Sequence, residues 1–79
     1  MPQLYEDGEI IVTFRKGTAA DVAERAITDL GLSIRCRSVS TPMYFVRVKV
    51  GWEDTWVARF KQVLSVEHAE RKIVHRRRI

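Results

Sequence analysis

The chain has 79 residues, 46% of them hydrophobic and 30% charged, with a formal net charge of +4. That length makes one small domain, in which folding buries only roughly 60% of the unfolded chain's surface, and the composition is that of a globular chain rather than a disordered one. Cys36 is the only cysteine, which excludes an internal disulfide and a CxxC metal pattern, and no stretch approaches the ~18 apolar residues that span a bilayer.

The segment Glu9 to Arg15, EIIVTFR, alternates, with Ile10, Val12 and Phe14 on one face and Ile11, Thr13 and Arg15 on the other, and its β-branched content predicts a strand. Lys16 and Gly17 break it. Thr18 and Asp21 have the spacing of a capping box, and Val22, Ala23, Ala26, Ile27 and Leu30 then recur at helical spacing up to Gly31. A helix is expected from about Ala19 to Leu30, with Gly31 as the left-handed residue after it.

Alternation resumes over Leu32 to Val39, placing Cys36 inward with Leu32 and Ile34, and again over Tyr44 to Val50, placing Tyr44, Val46, Val48 and Val50 inward. With Ser40, Thr41 and Pro42 as a turn, the two strands form a hairpin. From Glu53 to Leu64 the residues Trp56, Val57, Phe60, Val63 and Leu64 share one helical stripe, and Glu53 and Asp54 stand at the end a helix dipole favours. Trp52, just before it, either covers the helix start or is an exposed aromatic that a partner buries. Val66 to about Val74 reads as a charged edge strand.

The order β-α-β-β-α-β predicts an α+β domain of ferredoxin-like topology, a four-stranded antiparallel sheet with two helices on one face. The chain divides into an extension over 1–8, the domain over 9–74 and a basic tail over 75–79. The open sheet face then carries Ile11, Thr13, Arg15, Ser33, Arg35, Arg37, Phe45, Arg47 and Lys49, a basic surface with two apolar residues in it.

The charge is uneven. Residues 71–79 hold Arg71, Lys72, Arg76, Arg77 and Arg78 and no acid, leaving nine bases against ten acids in the rest of the chain. From the residues alone the closing HRRRI has three readings: a solvated chain end, a phosphate-binding tail whose affinity rises by counterion release, or a contact to an acidic membrane surface. The open face reads as a protein-docking surface, a merely solvated charged one or an RNA-binding platform. RNA recognition on this fold needs aromatics and glycines on the central strands, and YFVRVKV has no Gly-Phe element.

Nothing in the pattern argues for catalysis or a cofactor. Cys36 on an inward face is a small hydrophobe. His68 and His75 stand seven residues apart with no ligand set around them, so no metal site is expected and the protein reads as a non-enzyme. The N-terminus lacks a basic start followed by an apolar run, so a cytoplasmic setting is expected, or a secreted one if the chain is a piece excised from a longer precursor.

The chain resembles the propeptides of subtilisin-like serine proteases, the I9 inhibitor domains. The resemblance rests on EIIVTF in the first strand, GT before the first helix, the Leu-Gly-Leu exit from it, YFVRV in the third strand and SVEHAE leading into the fourth, and covers residues 9–78. It implies a domain that chaperones and inhibits a protease, its open face packed on enzyme helices and its C-terminal segment lying in the substrate cleft as a cleaved product does. On that resemblance Phe45, Arg35, Arg37, Arg47 and Lys49 belong to the docking face, and Glu70 caps an enzyme helix. Arg78 takes the terminal cleft position, Arg77, Arg76 and His75 the preceding subsites, and Ile79 lies one residue beyond. Two departures stand out: Lys72 replaces a second capping acid, and the three arginines suit the acidic cleft of a kexin-like enzyme.

Overall fold

The computed structural model describes residues 5–73, which form β1 (Tyr5–Phe14), α1 (Ala20–Thr28), β2 (Ser33–Arg37), β3 (Met43–Arg47), α2 (Glu53–Lys61) and β4 (Val66–Ile73). The strands make one antiparallel sheet in the order β2-β3-β1-β4. This is the expected ferredoxin-like arrangement. β1 lies at its centre because Ile10, Val12 and Phe14 form an unbroken apolar file and are fully buried. Opposite them on β3 stand Val46 and Tyr44, and the Phe14 and Tyr44 rings meet edge to face at 5.7 Å, a favoured aromatic geometry.

Both helices cover this same face. Ala23 and Ile27 of α1 and Phe60 of α2 join the strand residues in one buried cluster, with Ile34, Trp56, Val57 and Val63 packed at its margin. Full burial of a side chain such as Phe60 contributes about 1.5–3 kcal/mol. The other sheet face has no layer over it among the described residues.

The helix ends differ from the expected ones. α1 is capped at Ala19 with no side-chain hydrogen bond, so the capping box of Thr18 and Asp21 does not form. Thr18→Ala is accordingly expected to change stability by less than about 0.5 kcal/mol, whereas loss of a real cap costs ~1 kcal/mol. Thermal unfolding of the two proteins distinguishes the cases. Gly31 does take the left-handed conformation, with φ +80°. α2 stops at Lys61, and the Gln62 and Val63 amides donate to Arg59 and Phe60, a tight final turn. Leu64, expected in the core, is swung out and is 89% exposed.

β1 starts at Tyr5, earlier than the expected Glu9, and its pairing with β4 shifts register between Tyr5 and Ile10. Gly8 sits at that irregularity with φ +74°. Its carbonyl accepts from the Val48 amide at 2.9 Å. Its amide donates to Oε2 of Glu53 at 2.7 Å, and Oε1 of the same carboxylate accepts from the Gly51 amide at 2.9 Å. Glu53 is thus a buried clasp joining the start of β1, the turn after β3 and the first residue of α2. The Gly8 amide, with the Glu53 and Gly51 amides and the Arg71 charge, holds its carboxyl below the ordinary glutamate range, while burial pulls the other way.

Candidate functional surface

Side chains alternate across a strand, so the residues between the buried ones face away from the helices. On β1 these are Glu9, Ile11 and Thr13. On β3 they are Met43, Phe45 and Arg47, and on β4 His68, Glu70 and Lys72. The register sets Phe45 and Glu70 on either side of Ile11, and Met43 and His68 on either side of Thr13. The result is a half-buried apolar strip of Ile11, Met43 and Phe45 along the middle of the face, flanked by charge.

The charges are organised around one acid. Glu9 is 6% exposed although it lies on the open face, because Lys72 Nζ at 3.0 Å and Arg35 Nη1 at 3.3 Å both reach its Oε1. Lys72 Nζ also lies 5.1 Å from the Phe45 ring centroid, within cation–π range. These contacts bring β2, β1 and β4 together across β3. At the β4 edge, His68 Nε2 lies 3.3 Å from Glu70 Oε2, and both side chains are exposed.

Two sequence expectations about this face are overturned. The pairing of β2 with β3 shifts register between Ile34 and Cys36, leaving Cys36 opposite Phe45 and Arg37 opposite Tyr44. An extra residue in one strand reverses the facing of everything beyond it. Cys36 is therefore an exposed free thiol and not a core residue. Arg37 goes to the helix side, where its Nη1 lies 2.6 Å from Oε2 of Glu24 in α1, and the Tyr44 hydroxyl donates to the same oxygen at 3.5 Å.

Of the six residues expected to dock a partner, Phe45, Arg35, Arg47 and Glu70 share the open face. Arg37 does not, and Lys49 follows the end of β3. The face is mixed in charge rather than uniformly basic, since Arg35 and Lys72 are engaged by Glu9 and β4 adds Glu70. His75, Arg76, Arg77, Arg78 and Ile79 lie outside the described residues.

Sequence reading gave Glu9 no role and took Glu53 only as a helix-dipole acid. Glu9 shares the parity of Ile11 and Thr13, which places it on the open face, and only the strand order β2-β3-β1-β4 shows Arg35 and Lys72 converging on it. Among the described residues no three His, Cys, Asp or Glu side chains gather as a metal site, and no helix is long and apolar enough to cross a membrane. No family model, curated protein or solved structure gives a significant match to the chain.

Proposed function

We propose that the protein binds a subtilisin-like serine protease and acts as its inhibitor or folding chaperone, the open sheet face docking on the enzyme and residues 75–79 filling the substrate cleft. The observation that carries this reading is the uncovered sheet face, whose apolar strip of Ile11, Met43 and Phe45 runs beside the exposed Glu70 on the edge strand that leads into the basic segment. A strip of this kind is a binding core, since interfaces place apolar and aromatic groups centrally and charges at the rim. Glu70 is available to accept from the amides at the start of a partner helix, where a carboxylate is favoured.

The electrostatics argue against phosphate as the main ligand of the face. On the face, Arg35 and Lys72 are both within ion-pair distance of Glu9, Arg37 is turned to Glu24 on the helix side, and contact with a nucleic-acid backbone would have to replace the Glu9 pairs. The role of residues 75–79 rests on the resemblance of SVEHAE and the residues after it to the propeptide family.

The reading is tested by titrating the intact chain into several subtilisin-like proteases, including one that cleaves after paired basic residues, and following residual activity. Saturable inhibition in the nanomolar to micromolar range is expected from at least the last of these. An absence of inhibition across all of them would leave the open face to another partner.

A further inference from the structure

At the end of the sheet where α1 exits and α2 begins, a cleft of about 410 Å³ opens between Leu30, Leu32, Trp52 and Trp56, with Arg47 and Lys49 on its wall. We propose that this cleft binds a small aromatic or alkyl carboxylate, its apolar body between the two indoles and its carboxylate on Arg47 and Lys49.

Three observations carry the assignment. First, the apolar part is exposed, with no covering element among the described residues: Trp52 is 51% and Leu30 39% exposed. Trp56 is fixed by Arg59, whose Cζ lies 5.4 Å from its ring centroid, and by the Phe60 ring at 6.3 Å. One indole is therefore held in place and the other stands open beside it. Second, the cleft lining contains two cations and no acid. Glu9 pairs in register with Arg47 but takes its contacts from Arg35 and Lys72. Among the described residues neither Arg47 nor Lys49 has an ion-pair partner.

Third, Arg47 closes β3 and Lys49 lies two residues beyond it, so the chain brings both cations to the same end of the sheet as the two tryptophans. A guanidinium and a carboxylate form charge-assisted, often bidentate hydrogen bonds, and Arg47 and Lys49 are both exposed at the cleft wall. The volume matches an ordinary small-ligand pocket. The site does not rest on the protease reading, and its readout is independent of inhibition.

The test uses the full chain with nitrogen-15 label and follows the indole N–H signals of Trp52 and Trp56. The probes are 3-phenylpropionate, its alcohol 3-phenylpropan-1-ol and its amine 3-phenylpropylammonium. The acid is expected to shift both indole signals saturably and to bind about 10-fold more tightly than the alcohol, with the amine weakest. In the double variant Arg47→Gln, Lys49→Gln the acid should fall to the affinity of the alcohol. Lys49→Gln alone, past the strand end, gives the same comparison if the double change disturbs the sheet. Equal affinity of acid and alcohol for the unaltered protein, no saturable shift up to about 10 mM, or unchanged acid affinity in the variants would overturn the assignment.

Discussion

Replacing Glu53 by alanine is expected to destabilise the domain by about 2–5 kcal/mol, because the Gly8 and Gly51 amides lose a charged acceptor together and a hydrogen bond to a charged group contributes ~1.5–3 kcal/mol, less at Gly51 where water can replace it. Against a total of about 4–12 kcal/mol for a chain of this length, that is enough to leave much of the protein unfolded at moderate temperature. The same carboxylate gives the fold a pH dependence of definite sign. Its folded pKa is lower than the unfolded one, so its contribution is complete above about pH 4.5. It is lost as pH falls through the folded value. Glu53→Gln retains an acceptor oxygen but cannot titrate. Denaturant titrations of the unaltered protein and Glu53→Gln, at neutral pH and in acid, should show the unaltered protein losing its advantage on acidification. Parallel losses in the two proteins would contradict the clasp.

Gly8→Ala is the second large effect, expected at about 2–3 kcal/mol. A side chain at φ +74° costs roughly 1–2 kcal/mol, and the added Cβ would lie 3.1 Å from the Val48 carbonyl oxygen, so β1 or the end of β3 must give way. Because the Gly8 amide is also the closest donor to Glu53, the two substitutions share one contact. The double variant should lose less than the sum of the single changes. A Gly8→Ala protein within about 0.5 kcal/mol of the original, measured by denaturant unfolding, would show that the bulge relaxes freely.

These two positions also mark the border of what the sequence discloses. Ile10, Val12 and Phe14 announced their own burial, since a strand covered on one face must alternate. Tyr44, Val46 and Val48 did the same for β3 and its exit, although Val50, read inward by the same alternation, lies past the strand end and is 65% exposed, and the element order then left few topologies. The misreadings fall where pattern is thin or the determinant is remote. In β2 only Ile34 is even partly buried, so alternation gave no warning of the register shift that turns Cys36 outward and Arg37 toward Glu24. Glu53 looked like a helix-dipole acid because its nearest neighbours in sequence said so, while one of its amide donors lies 45 residues away. Leu64 fitted the stripe of a longer α2, but the tight turn at Gln62 and Val63 redirects the chain toward β4.

The open face was legible in outline and misjudged in charge for a related reason. Local alternation named Phe45, Arg35 and Arg47 correctly. It had no means of showing that Glu9, from β1, sits beneath Arg35 and Lys72, or that Glu70 and His68 complete the far edge. Charge on a sheet face is a property of strand pairing, and the pairing is non-local.

The central claim, a sheet face that docks while a basic segment fills a protease cleft, is tested most directly by comparing the intact chain with a version ending at Val74 against a subtilisin-like protease that cleaves after paired basic residues. The intact chain should inhibit. The shortened one should bind at least about 100-fold more weakly, some 2.7 kcal/mol, with thermal unfolding unchanged, and replacing Arg78 in the intact chain should reproduce much of that loss. Equal inhibition by both chains, or by neither, would contradict the account.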